Sequence, residues 1–179
     1  PLDGTVNYAH QIPFFAVSIA FARGDEVLAG VVLNPVSGEL FSAQAGRGAF
    51  LNGEPISVSP ETRIADSLLA TGFPYERSHG FQAMAERLLR CLKASRGIRR
   101  FGSAALDLCF VACGRFVGYW EDRLQPWDTA AGALIVREAG GRTTDFSNRP
   151  VGTDGREILA TNGRIHTDLL KLMGGGTRS

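Results

Sequence analysis

Asp3-Gly4-Thr5 sets a carboxylate, a flexible glycine and a hydroxyl at consecutive positions. A carboxylate on a compact loop is a hard-oxygen ligand for a divalent cation such as Mg²⁺. A hydroxyl beside it can orient a water as nucleophile. The same triplet also reads as a plain turn, since Asp and Gly are common turn residues. A second carboxylate stands in Pro126-Trp127-Asp128-Thr129-Ala130-Ala131-Gly132, which opens an apolar helix ending at Glu138-Ala139-Gly140-Gly141. Asp128 doubles there as an N-cap, which stabilises a helix by ~1 kcal/mol. In Arg100-Phe101-Gly102-Ser103-Ala104-Ala105-Leu106-Asp107, a helix start exposes backbone N–H groups that favour an anionic or hydroxyl-rich ligand. Ser103 alone is an ordinary N-cap. Glu121 lies seven residues before Asp128 and, taken singly, is a solvent-facing carboxylate.

These residues need strands and helices to bring them together. Phe14–Ala22, Val27–Asn34 and Glu39–Ala45 are β-rich runs separated by turn residues, which predicts an antiparallel meander. Gly46-Arg47-Gly48 and Asn52-Gly53 signal a further hairpin. Beyond Pro60 the rhythm changes. Strands are predicted at Ser67–Thr71, Ile98–Phe101, Phe116–Glu121, Arg142–Thr144 and Ile158–Thr161. Helices are predicted at Phe81–Ala94, Ser103–Cys113, Thr129–Ala139 and Ile165–Met173. Alternating strand and helix argues for an α/β arrangement with helices layered on a mixed sheet. A boundary near Glu61 divides an α+β part, residues 1–61, from an α/β part, residues 62–179.

The chain has 179 residues, 44% hydrophobic and 21% charged, which excludes a disordered chain. Its net charge of +1 gives no broad electrostatic footprint for nucleic acid or a membrane surface. The longest apolar run, Ile12–Ala22, is interrupted by Pro13 and Ser18 and falls short of the ~18 residues of a membrane span. Cys91, Cys109 and Cys113 read as small buried hydrophobes. His10, His79 and His166 are scattered singly, without zinc-ligand spacing. Cysteine usage and the lack of a leader pattern point to a cytoplasmic setting. Arg96, Arg99 and Arg100 form a small basic cluster, readable as a solvated turn and strand edge or as a contact for RNA or an acidic protein.

In this order the motifs resemble the inositol monophosphatase family. Pro1 to Tyr8 is similar to the family's first signature without its leading aspartate. Trp127-Asp128-x-Ala130-Ala131-Gly132 with Glu138-Ala139-Gly140-Gly141 is similar to the second, and Phe41 to Gly53 to its hairpin. The resemblance runs over essentially the whole chain. It implies a Mg²⁺-dependent phosphomonoesterase acting on inositol 1-phosphate or a similar sugar phosphate, on an αβαβα sandwich whose N-terminal part is missing. Leu2 (through its carbonyl), Asp3 and Asp128 would hold Mg²⁺, and Asp3, Thr5 and Asp128 would be catalytic. Gly4 and Thr5 amides would hold the phosphate. Gly102, Ser103, Ala104, Glu121 and Asp128 would contact the sugar or cyclitol. The family is often homodimeric. Related phosphatases of fructose 1,6-bisphosphate, histidinol phosphate, nucleotides or NADP share the metal chemistry. A noncatalytic regulatory or RNA-binding module on the same fold is the reading of a different class. The family's Glu-rich loop and a further aspartate precede Pro1, so the chain reads as a C-terminal piece that, alone, binds Mg²⁺ poorly and turns over slowly.

Overall fold

Alternating apolar residues build two sheets with a helical layer between them. The computed structural model describes residues 1–73, 80–151 and 156–174. The first sheet runs in chain order through β1 (Leu2–Asp3), β2 (Ala16–Arg23), β3 (Glu26–Asn34), β4 (Glu39–Gln44), β5 (Ala49–Leu51) and β6 (Glu54–Pro55). Every neighbouring pair is antiparallel, as the meander predicted. The β5–β6 turn places Asn52 at φ 52° and Gly53 at φ 87°, the left-handed pair that a tight hairpin demands.

One element was not anticipated. After Gly4 the chain forms a short helix, α1 (Thr5–Ala9), between β1 and β2. Its five residues carry too little apolar periodicity to be read from sequence. Tertiary bonds hold it: the Asn7 amide donates to the Phe14 carbonyl (2.8 Å) and to the Phe101 carbonyl (2.7 Å).

Past a 3₁₀ turn at Ile64–Asp66 come β7 (Leu68–Thr71), α2 (Phe81–Ala94), β8 (Gly97–Arg99), α3 (Ala104–Ala112), β9 (Gly118–Asp122), α4 (Pro126–Glu138), β10 (Arg142–Thr144), β11 (Glu157–Thr161) and α5 (His166–Leu172). The second sheet has the order β10-β11-β9-β7-β8. β7 is parallel to β8 and β9, and the remaining pairs are antiparallel, so the sheet is mixed. Its two faces are sorted by the period-2 rule. Ala70, Tyr119, Ile158 and Ala160 join the core shared with α3, α4 and the first sheet. Leu69, Trp120 and Leu159 join a second core with residues of α2 and α5. Four layers result: sheet, α3 with α4, sheet, α2 with α5. They form the inner and later layers of the expected αβαβα sandwich. Among the described residues no outer helices cover β2, which leaves Ile19 and Phe21 exposed on its outer face.

The middle layer is tight. α3 is buried on nearly every side and, Asp107 apart, apolar, as a helix pressed between two sheets must be. A Cβ on Gly132 of α4 would sit 2.7 Å from the Leu108 side chain of α3. One on Gly30 of β3 would sit 2.9 Å from the Ala131 Cα. Both glycines are therefore close-approach positions. Cys91 and Cys109 are buried and Cys113 is partly buried, all as free thiols. His79 lies outside the described residues. Among the described residues no helix is long and apolar enough to cross a membrane.

Candidate active site

Leu2, Asp3, Gly4, Thr5, Gly102, Ala104, Glu121 and Asp128 all line one cavity of about 980 Å³. They come from the β1–α1 turn, the start of α3, the end of β9 and the first turn of α4. Residues separated by more than a hundred positions thus face one space.

Asp3 is the most firmly held. Its Oδ1 accepts from the Gly4 N–H (2.9 Å), and its Oδ2 accepts from the Ser103 hydroxyl (2.6 Å) and the Ala105 N–H (2.9 Å). Gly4 makes this turn possible. Its φ is +81°, and a Cβ there would stand 3.1 Å from the Phe14 carbonyl and the Phe15 Cα. Burial raises the Asp3 pKa; these hydrogen bonds pull it back, and the Asp128 charge raises it again. Two expected substrate contacts take other roles. The Gly4 N–H is committed to Asp3, so of the two expected phosphate-holding amides only that of Thr5 is left for a ligand. Ser103 is fully buried behind the cavity wall, where it caps α3 by accepting from the Leu106 N–H (3.4 Å) and donates to Asp3. Its hydroxyl is used in holding the carboxylate.

Asp128 is not the N-cap that its sequence position suggested. Pro126 occupies the first helical position, where its missing N–H costs nothing, and Gln125 is the N-cap. Asp128 is the third residue of the helix, and its Oδ2 accepts from the Gln125 N–H (2.9 Å). Its Oδ1 takes no hydrogen bond among the described residues. The Ser18 hydroxyl donates to the Trp127 carbonyl (3.1 Å), which fastens this turn to β2.

Glu121 shares a face of β9 with Tyr119, and the Tyr119 hydroxyl donates to its Oε2. Burial pushes the Glu121 carboxyl up to about 7, against the lowering effects of that bond and of Arg100, and with further raising from Asp3 and Asp128. Asp107 is 1% exposed, and neither of its carboxylate oxygens is hydrogen-bonded among the described residues. Burial lifts it well above the usual carboxylate range, and the Glu121 and Asp3 charges add to that. Asp3, Asp107, Glu121 and Asp128 therefore crowd one region, and Arg100, held 5.5 Å over the Phe73 ring, is a cation acting on Glu121 and Asp107.

That crowding tests the site against a divalent cation. Among the described residues no three of His, Cys, Asp and Glu are grouped to hold a metal by themselves. Mg²⁺ asks for less: one or two carboxylates, completed by phosphate oxygens and waters. Asp3 and Asp128 bring two hard, like-charged carboxylates to one cavity, and a cation there would relieve their repulsion. The residues present fit Mg²⁺.

Sequence reasoning had Asn7 within the Pro1–Tyr8 stretch but gave it no role; it ties α1 to the loop before α3. The same reasoning missed Tyr119, although two-residue spacing on a predicted strand puts it on the face of Glu121. Gly72, Arg123 and Arg156 line the cavity as well.

A family model described as the inositol monophosphatase family matches residues 1–175. An inositol-1-monophosphatase of Synechocystis is 47% identical over 169 residues, 94% of this chain and 59% of that relative. The chain thus spans about three fifths of the length of this curated relative. The extragenic suppressor protein suhB of Bartonella henselae superimposes with a TM-score of 0.92 at 46% identity, covering 99% of this chain and 68% of that one. A Staphylococcus aureus protein, SaIMPase-II, solved with inositol monophosphate bound, superimposes with a TM-score of 0.84 at 30% identity, covering 96% of this chain and 67% of that one.

Proposed function

The chain belongs to the inositol monophosphatase family, and from that premise we propose that it carries the catalytic face of a Mg²⁺-dependent phosphomonoesterase for inositol 1-phosphate or a similar sugar phosphate. The observation that carries this reading is the convergence of Asp3, Thr5, Glu121 and Asp128 on one cavity.

The Leu2 carbonyl, Asp3 and Asp128 would hold Mg²⁺. Bound there, the cation neutralises a dianionic phosphate, acidifies a water and steadies the leaving oxygen. The protein's own groups do the rest. Ser103, Ala105 and Gly4 fix both oxygens of Asp3, so that it meets its ligand in one orientation. The Thr5 hydroxyl, exposed in the cavity, positions the attacking water, and the Thr5 N–H at the start of α1 faces the phosphate. Gly102 and Ala104 present a wall without long side chains, which leaves room for the polyol ring. Glu121 accepts hydrogen bonds from hydroxyls of the polyol. A partly buried acceptor that the wrong ligand leaves without a hydroxyl partner gives such a site its selectivity.

Substrate choice is tested by phosphate release from myo-inositol 1-phosphate and from phenyl phosphate, with the upstream segment of the family present. Glu121→Gln is expected to raise KM for the inositol ester by about tenfold or more, the scale of one charge-assisted hydrogen bond. An equal rise for phenyl phosphate would remove Glu121 from sugar recognition.

A further inference from the structure

The residue following β7, Gly72, meets Glu121 at the cavity wall. The three atoms nearest to a Cβ built on Gly72 are Oε2, Cδ and Oε1 of Glu121, and all three would overlap it. The Gly72 backbone is not in the left-handed region, so its conformation does not require glycine. What a side chain there would displace is the carboxylate, which lies against the bare backbone. The two strands are locked at this level: Thr71 pairs with Trp120, and the Thr71 hydroxyl donates to the Trp120 carbonyl (2.8 Å). Gly72 therefore cannot drift from Glu121. On the other side Tyr119, fully buried, donates its hydroxyl to Glu121 Oε2.

We propose that Gly72 and Tyr119 are positioning residues for substrate selection: the bare α-carbon of one and the hydroxyl of the other fix the Glu121 carboxylate where a polyol hydroxyl meets it. The inference rests on the reading of Glu121 as the hydroxyl acceptor. A glutamate side chain loses much rotamer freedom when a ligand orders it. A carboxylate already seated avoids that loss on binding. Tyr119 uses one lone pair of Oε2 and leaves the remaining acceptor sites of the carboxylate for ligand. A methyl group at residue 72 meets the far end of a flexible side chain, so the carboxylate yields and the backbone stays.

The test compares kcat and KM for myo-inositol 1-phosphate and phenyl phosphate in the full-length protein and in Gly72→Ala, Tyr119→Phe and Glu121→Gln. The inositol-to-phenyl preference in kcat/KM is expected to fall about tenfold to a hundredfold in all three, through KM for the inositol ester. In the double variant Gly72→Ala, Glu121→Asp the shorter acid clears the new methyl group, and part of the preference lost in Gly72→Ala returns. Circular dichroism checks folding; should Gly72→Ala not fold, Tyr119→Phe, which removes only an oxygen, carries the test. Preference lost in Glu121→Gln but kept in Gly72→Ala and Tyr119→Phe overturns the positioning roles alone. Equal losses on both esters in those two variants overturn them as well, since that marks a merely structural part. Preference kept in Glu121→Gln overturns the underlying reading of Glu121 and the proposal with it.

Discussion

Glu121 is held near neutrality by its surroundings, and that has a measurable effect on stability. Its carboxyl is pushed up to about 7, whereas in an unfolded chain it titrates near ~4.3. Below the unfolded value both states are protonated and the shift has no effect. As pH rises toward 7 the unfolded state ionises first, and stability is lost; above 7 the loss is constant. For a partly exposed side chain the loss is on the order of 2 kcal/mol. In EDTA, Glu121→Gln is therefore expected to be more stable than the parent above pH 7, with the difference closing near pH 4. Urea midpoints across that range check it, and a difference independent of pH would refute it. Asp128 separates capping from metal binding. Asp128→Asn keeps an oxygen for the Gln125 N–H, so stability should change by less than about 1 kcal/mol while Mg²⁺ affinity drops. Calorimetric Mg²⁺ titration beside a thermal melt distinguishes this from a purely structural role, which would unfold the protein and spare metal affinity.

At the scale of elements, local patterns told a good deal. The meander, the hairpin at Asn52-Gly53 and the helix at Phe81–Ala94 were legible because period-2 and period-3.6 burial shaped their sequences, whereas the helix at Ser103–Cys113 showed in its serine cap and the apolar run behind it. The first turn of α4 was less so. An aspartate after Pro126-Trp127 looks like a cap, and only the position of Gln125 shows it to be the third helical residue. α1 was not legible at all, because Asn7 builds it through bonds to Phe14 and Phe101, the latter 94 positions away. Ser103 was found by its place at a helix start, yet its bond to Asp3 crosses 100 positions, beyond any local pattern. The packing of α3 on α4 predicts a further result. Gly132→Ala places a methyl group against Leu108 in a layer without spare room, and should destabilise by about 1–3 kcal/mol. Denaturant unfolding measures it; a stabilised variant would mean that the two helices can separate freely.

Across the whole molecule, the site exists because four layers put the β1–α1 turn, the start of α3, the end of β9 and the start of α4 around one cavity. Motif order in the sequence was enough to collect the residues, but not to tell which of them face a ligand. Asp3, Thr5, Glu121 and Asp128 reach the cavity, while Ser103 and the Gly4 amide are spent on holding Asp3. The carboxylates that remain are like-charged and close enough to raise one another's proton affinity, an arrangement that favours a cation. We therefore propose that this cavity hydrolyses phosphate monoesters with Mg²⁺. The measurement is phosphate release from myo-inositol 1-phosphate by the full-length protein, with Mg²⁺ and with excess EDTA. Release that depends on Mg²⁺ and stops with EDTA is the predicted result. No release from this or other sugar phosphates, by a folded protein supplied with Mg²⁺, would contradict it.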